Sequence, residues 1–265
     1  MVKNSMRVQD PLMPFDPALV TAHLPPGTVT WAIQWLPAVP STQDLVREAA
    51  VAGAAEGWTV VADWQQRGRG RLGRQWITPP GRDLLFSVLL RPSRTLLSLL
   101  PLLAGVSLAE GLKRATGLPV DLKWPNDLLL GGRKLAGILL EHGSDQTAAL
   151  GVGVNVNSGS RELPSQATSV SVGLGHPLRR EPLLAAILGA VDRALLRTRE
   201  EGEGWVVPAW RQNSSMLGQL ISYEQERTVR QAVAEDVEDD GALRVRLEDG
   251  TLSRIYAGDV RLLRD

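Results

Sequence analysis

Two short runs, Trp58-Thr-Val-Val-Ala-Asp-Trp64 and Asp83-Leu-Leu-Phe-Ser-Val-Leu-Leu-Arg91, are almost unbroken in apolar residues. Both are too short for a typical helix and are bounded by polar residues, so each reads as a buried strand. Between them lies Arg67-Gly-Arg-Gly-Arg-Leu-Gly-Arg74, four arginines and three glycines in eight residues. Any fold for this chain must therefore send a flexible, cationic loop out of a core sheet and bring it back.

The flanking sequence supplies the rest of the layout. Ser41-Thr-Gln-Asp44 resembles a capping box and precedes the apolar stripe Leu45, Val46, Ala49 and Ala50, which predicts a helix. An amphipathic helix is expected over 102–115, closed by Gly117 and Pro119, followed by strands at 120–123, 128–130, 135–141 and 148–156. Gly131-Gly132 marks a hairpin between two of these strands. Pro182 opens a helix reaching Arg199, and 204–211 adds a shorter one. From Leu217 onward only short strands and turns remain, with Asp239-Asp240-Gly241 and Glu248-Asp249-Gly250 as turn signals. The expected fold is α+β: a Pro-rich arm over 1–30 with room for only a short helix, a mixed domain over 31–213, and a small SH3-like β domain over 214–265. Internal repeats and low-complexity tracts are absent.

Composition excludes several classes of function. With 43% hydrophobic and 22% charged residues, the 265-residue chain is globular in type. A formal net charge of zero argues against a general nucleic-acid binder, and the absence of cysteine removes disulfides, thiol nucleophiles and thiolate metal sites. The first thirty residues hold no apolar signal region, and the apolar stretch at 96–109 is broken by Ser98, Pro101, Gly105 and Ser107. These features predict a soluble, cytoplasmic protein. Lysine occurs only at Lys3, Lys113, Lys123 and Lys134, against 25 arginines. A chain that chooses arginine so consistently keeps lysine where a compact ammonium suits the site better than a planar fork.

Three segments carry candidate chemistry. Glycines in the 67–74 loop allow close backbone approach, and its arginines offer charged donors to phosphate or carboxylate; a solvated connection or an RGG-like nucleic-acid segment are the alternatives. Lys123-Trp-Pro-Asn-Asp127 precedes Arg133-Lys-Leu-Ala-Gly-Ile-Leu-Leu140, which places Asn126 and Asp127 at a turn and Lys134 at the start of a strand. That ammonium is expected to have little competing charge behind it. A Pro-Asn-Asp turn with a protective edge lysine is the plainer alternative. Gly151-Val-Gly-Val-Asn155 would let a ligand ring lie against its strand, with Asn155 offering an amide. It lacks the third glycine of a dinucleotide fingerprint, no Walker A loop occurs, and His23, His142 and His176 are too scattered for a zinc cluster or a Ser–His triad.

Taken in order, Ser41-Thr42, Gln65-Gln66, Gly68-Arg-Gly-Arg-Leu-Gly-Arg-Gln-Trp76, Lys123-Trp-Pro-Asn-Asp127, Arg133 to Leu140 and Gly151 to Asn155 resemble the biotin protein ligases over roughly residues 35 to 260. The resemblance implies a catalytic domain related to class II aminoacyl-tRNA synthetases, with a mixed sheet and helices, plus an SH3-like C-terminal β-barrel. It implies two steps: biotin and ATP, with Mg²⁺, give biotinoyl-5′-AMP, and the acyl group then passes to a lysine of a biotin carboxyl carrier protein domain. By the same resemblance, Ser41, Thr42, Gln43 and Gln65 hold the biotin head, with Arg69, Gly70 and Arg71 closing over it. Lys134 meets its carboxylate and the phosphate, and Gly137 lines its rings. Arg71, Trp76, Lys123, Asn126 and Asn155 face the nucleotide. Lys134, Arg69, Arg71 and Asp127 form the catalytic set, Asp127 aiding the acceptor lysine. No metal ligands are expected from the chain, and a homodimer is compatible with this reading.

The chain departs from the family pattern at Gln43, where asparagine is usual. Bifunctional members also carry a winged helix, which about thirty Pro-rich residues cannot supply, so the chain looks like the monofunctional kind, without DNA binding. The rivals are a lipoate or octanoate ligase of related fold and, in a different class, an Arg/Gly nucleic-acid module.

Overall fold

A computed structural model describes residues 14–143, 146–225 and 228–263. The two buried runs are paired antiparallel strands, β2 (Trp58–Ala62) and β3 (Leu84–Leu90), within a seven-stranded mixed sheet. The other strands are β1 (Ala32–Leu36), β4 (Val120–Lys123), β5 (Asp127–Leu130), β6 (Arg133–His142) and β7 (Ala148–Val154). Their order is β1-β2-β3-β7-β6-β5-β4, with β1 and β2 parallel and every other pair antiparallel. β1 has no counterpart in the sequence reading. It is a five-residue edge strand with no fully buried residue, so its hydrophobic signal is weak.

The sheet's two faces are filled differently. Leu84, Phe86, Val88 and Leu90 of β3 join Leu150, Val152 and Val154 of β7 in the main core, covered by α3 (Leu100–Thr116) and α5 (Arg180–Glu201). These helices meet closely at Gly111, where a Cβ would stand 2.7 Å from the Ile187 Cα. The opposite face is covered at one end by α2 (Thr42–Val51), which buries Val46 against Val60, Leu89 and Ala149. Ser41 stands at the N-cap of α2, but its side chain makes no capping bond. The expected capping box therefore does not form, because the Asp44 carboxylate is drawn off to Arg69.

Residues 1–13 of the expected arm lie outside the described residues, and the remainder carries the short helix that its sequence allows. Helix α1 (Pro17–His23), capped by Asp16, packs on α5 with Phe15 and Val20 buried. The backbone N–H groups of Thr28 and Val29 and the Thr28 hydroxyl donate to buried Asp192 at 2.9 Å. A buried carboxylate on α5 needs such donors, so the segment docks instead of trailing. A short helix α4 (Val170–Leu174), absent from the sequence reading, precedes α5.

After α6 (Val206–Gln212), five strands form an antiparallel sheet: β8 (Leu220–Gln225), β9 (Thr228–Val237), β10 (Leu243–Arg246), β11 (Leu252–Ile255) and β12 (Val260–Leu262). Their order is β11-β10-β9-β8-β12. This unit is fastened to the larger one by the Trp124 indole N–H on the Gly241 carbonyl (3.0 Å) and by Arg211 on Asp236 (2.6 Å). Among the described residues no helix is long and apolar enough to cross a membrane.

The Gly111 contact predicts that Gly111→Ala costs about 1–3 kcal/mol by forcing α3 from α5. A urea titration should show a lower midpoint with an unchanged slope.

Candidate active site

The site grows out of strand register. Ser87 of β3 lies opposite Gly151 of β7, which lies opposite Leu139 of β6. The next row on the same face is Leu85, Gly153, Gly137 and Asp127. Three glycines in two adjacent rows strip the side chains from this part of the sheet, and a cavity opens where a second core would otherwise form.

Its closed end is a chain of buried polar groups. The Thr42 backbone N–H donates to Gln65 Oε1 (2.8 Å), the Thr42 and Ser87 hydroxyls meet at 2.8 Å, and Ser87 donates to Gln43 Oε1 (2.8 Å). The Gln43 amide then donates to the main-chain oxygens of Leu139 (3.1 Å) and Ala149 (2.9 Å). Its oxygen sits 2.5 Å from where a Cβ on Gly151 would be, so the longer side chain uses the room that this glycine leaves. Gln43 thus spends both amide hydrogens on the sheet and shapes the pocket wall.

At the open end the Trp76 indole lies against the strands, within 2.5 Å of a Cβ position on Gly153. The ring on the glycine strand is therefore the protein's own. The Lys134 ammonium is 5.5 Å from the Trp76 ring centroid and 2.6 Å from Asp127 Oδ1, while Lys123 takes Asp127 Oδ2 at 3.1 Å. The expectation that Lys134 faces little opposing charge is corrected. The β5–β6 pairing brings Asp127 beside it, a cross-strand contact invisible in the local sequence.

The Arg/Gly segment folds back as a hairpin over the cavity, with Gly70 N–H on the Arg74 carbonyl (2.7 Å) and Trp76 N–H on the Gly68 carbonyl (2.9 Å). It is strapped on both flanks. Arg69 forks onto Asp44 (2.8 and 3.0 Å) and reaches Glu141 (3.3 Å). Arg74 pairs with Asp259 (2.6 Å), and Arg71 donates to Asn126 Oδ1 (3.2 Å) and to the Gly258 carbonyl (3.3 Å). The Arg69 hydrogen bonds hold the Asp44 carboxyl below its ordinary value. Burial is the largest single influence on Asp259 and would raise it, but the Arg74 hydrogen bond and the charges of Arg74, Lys123 and Arg261 together lower this group too. Burial draws the Arg71 guanidinium down more than Asp127 and Asp259 lift it. Arg71 is thus a half-buried loop cation bonded to a neutral amide and a carbonyl, where an arriving anion would offset the cost of burying its charge.

Of the residues expected at the site, Ser41, Thr42, Gln43, Gln65, Arg69, Gly70, Arg71, Trp76, Asn126, Asp127, Lys134 and Gly137 all line this cavity. Two do not. Lys123 stands behind Asp127, and Asn155 gives its amide hydrogens to the carbonyls of Thr168 (2.9 Å) and Lys134 (3.4 Å). Arg69 reaches the lining, but its guanidinium is engaged by two carboxylates rather than left open for a phosphate. Sequence reasoning missed Ser87, Gly258 and Asp259. A lone hydroxyl in the run Leu-Leu-Phe-Ser-Val-Leu-Leu was a usable signal for Ser87; Asp259 lies in an acid-rich tail with nothing local to distinguish it. Among the described residues no group of three His, Cys, Asp or Glu could hold a metal ion.

Residues 35–157 match the Biotin/lipoate A/B protein ligase family, and residues 217–263 match the Biotin protein ligase C terminal domain. The bifunctional ligase/repressor BirA of Bacillus spizizenii is 31% identical over 234 residues, covering 84% of this chain and 72% of that one. The biotin–[acetyl-CoA-carboxylase] ligase of Paracoccus denitrificans is 34% identical over 201 residues, covering 71% of this chain and 83% of that one. Among solved structures, the biotin protein ligase from Aquifex aeolicus in complex with biotin and ATP superimposes with a TM-score of 0.76 at 31% identity. That match covers 88% of this chain and 99% of the other.

The hairpin straps make a testable statement. Both depressed carboxylates stay ionised at neutral pH, so the straps are present above the ordinary carboxylate pKa and are lost as pH falls through the lowered values. Exposed pairs contribute ~0.2–1 kcal/mol, so Asp44→Asn or Asp259→Asn should each raise tryptic cleavage within 67–74 roughly 1.5- to 5-fold at neutral pH. Timed digestion with mass spectrometry of the fragments checks this.

Proposed function

The chain belongs to the biotin protein ligase family, and from that premise we propose that this cavity joins biotin to ATP and hands the acyl group to a lysine of a biotin carboxyl carrier domain. One observation carries the reading: a single cavity pairs a closed, hydrogen-bonding end with an open, cationic end. The first suits an uncharged ureido head; the second suits a carboxylate meeting a phosphate.

In the first step a biotin carboxylate oxygen attacks the α-phosphorus and the bond to pyrophosphate breaks. Two anions must approach, and Lys134 and Arg71 supply the positive charge where they converge. Asn126, held by Arg71 and donating to the Ile138 carbonyl (2.6 Å), orients the open end for the nucleotide. Lys123 serves through its grip on Asp127. Arg69 keeps the hairpin shut from outside, and Asn155 acts by holding the Lys134 main chain. Magnesium, arriving with ATP, would be held by phosphate oxygens and supply further charge neutralisation. The cavity-side carboxylates Asp127 and Asp259 are already paired with lysine and arginine. In the second step the acceptor amine attacks the acyl carbon and AMP leaves; on this reading Asp127 takes the amine proton once a lysine turns away from it.

A lipoate or octanoate ligase would present an apolar chain to the Thr42–Gln65–Ser87–Gln43 groups, which bond one another and the sheet and would gain nothing from it, so a polar closed end would serve no recognition. Biotin fits them. Pyrophosphate exchange that depends on biotin, and not on lipoate or octanoate, tests the reading; a wild-type chain inert toward biotin overturns it.

Lys134→Ala should slow exchange on the order of 10²–10³-fold, as for loss of one preorganised donor. Lys134→Arg should rescue only in part, because a planar fork replaces a point charge beside Asp127.

A mixed anhydride must be shielded from water and stray amines, and the hairpin over the cavity is the device available for that. Arg71→Gly removes its bond to the Gly258 carbonyl across the cavity mouth. The variant should still make biotinoyl-AMP but release it, labelling lysines of added bystander proteins, while wild type labels the carrier domain. Loss of adenylation with no labelling would assign Arg71 to the chemical step alone.

A further inference from the structure

We propose that Asp83 is a positioning residue for this chemistry: one buried carboxylate that fixes both the main chain of Lys134 and the Trp76 plate beside its ammonium. The proposal rests on the ligase reading for its kinetic consequences, though not for its geometry.

Asp83 immediately precedes β3 and is fully buried. Its Oδ1 accepts the backbone N–H groups of Val156 (2.7 Å), Asn157 (3.2 Å) and Ser158 (3.2 Å). Its Oδ2 accepts the hydroxyls of Ser158 (2.6 Å) and Thr78. These five donors are uncharged; the adjacent Arg180 guanidinium goes to the Asp83 main-chain oxygen (3.1 Å) and to Asp63 (2.7 Å). Burying a carboxylate is costly unless such a full set of donors offsets it, so the segments supplying them are held hard.

Those segments end on the two sides of one side chain. The 156–158 turn follows Asn155, whose amide holds the Lys134 carbonyl, and Thr168 N–H binds the same carbonyl at 2.9 Å. Lys134 N–H is held in turn by the Gln166 carbonyl (2.8 Å). On the other branch, Thr78 lies two residues beyond Trp76, whose ring stands 5.5 Å from the Lys134 ammonium. Asp83 touches no cavity atom, yet it sets where the Lys134 stem begins and what its tip rests against.

Thr78→Val cuts only the hairpin branch and keeps the shape of the side chain. It should lower kcat for biotin-dependent pyrophosphate exchange ~10-fold with little change in the biotin KM, since small misplacement of a catalytic group is costly. Asp83→Ala should be worse. Asp83→Asn should recover most of the rate, because its oxygen can keep the three N–H bonds while its amide donates to the two hydroxyls.

A second readout needs no activity. With only four lysines, native-state acetylation read by mass spectrometry compares Lys134 with exposed Lys113. Loosening the site should raise the Lys134-to-Lys113 ratio about threefold in Thr78→Val and return it toward wild type in Asp83→Asn. A folded Thr78→Val with unchanged kcat and labelling ratio overturns the proposal, as does an Asp83→Asn no better than Asp83→Ala. If wild type lacks biotin-dependent exchange, the ligase reading fails, and the labelling ratio still decides whether Asp83 positions Lys134.

Discussion

The pairing of β3, β7 and β6 in one register is the constraint on which the site depends. It aligns Ser87, Gly151 and Leu139 in one row and Gly153, Gly137 and Asp127 in the next. A slip of one residue would turn Phe86 and Val152 outward and bury the glycines in the helical core, abolishing cavity and core together. The register is protected by what it buries. Leu84, Phe86, Val88 and Leu90 on one side satisfy α3 and α5, and the polar chain from Gln65 to Gln43 satisfies the other. Stability and site are opposite faces of one choice.

Charge is arranged on the same economy. The chain carries no formal net charge, and around the cavity that balance is local: Arg69 with Asp44 and Glu141, Arg74 with Asp259, Lys123 and Lys134 with Asp127. The hairpin's own pairs, Arg69 with Asp44 and Glu141 and Arg74 with Asp259, are partly exposed, and such pairs contribute little to stability, about 0–1 kcal/mol each. They therefore hold the hairpin in place without making its opening expensive. Arg71 differs in bonding only to a neutral amide and a carbonyl, so its charge remains available to a bound anion.

The readability of these parts from sequence follows how local their causes are. Strands β2 and β3, helix α3 and the Gly131-Gly132 hairpin announce themselves through continuous or periodic apolar patterns and turn glycines, and each formed within a few residues of its expected span. Twelve of the expected site residues line one cavity because their motifs sit at the ends of those legible elements. What escaped depends on partners distant in the chain. β1 is a strand only because β2 lies beside it; residues 14–29 dock because Asp192 lies 163 positions beyond Val29. The capping box failed for the same reason: Ser41 to Asp44 has the right letters, but Arg69 competes for the carboxylate.

The scarcity of lysine gains a physical meaning at Asp127. Its two oxygens are divided between two ammoniums, one from Lys123 on the preceding strand and one from Lys134 on the following strand. A guanidinium at either position would present a fork matched to both oxygens and would tend to claim the carboxylate whole. A point charge takes one oxygen, leaves the other, and can turn toward a second anion without surrendering a bidentate lock. Elsewhere the chain prefers the lock, as in Arg69 on Asp44 and Arg211 on Asp236, where the task is to hold two elements together. Arginine therefore serves as fastener, and the two lysines at the cavity wall share one carboxylate without locking it.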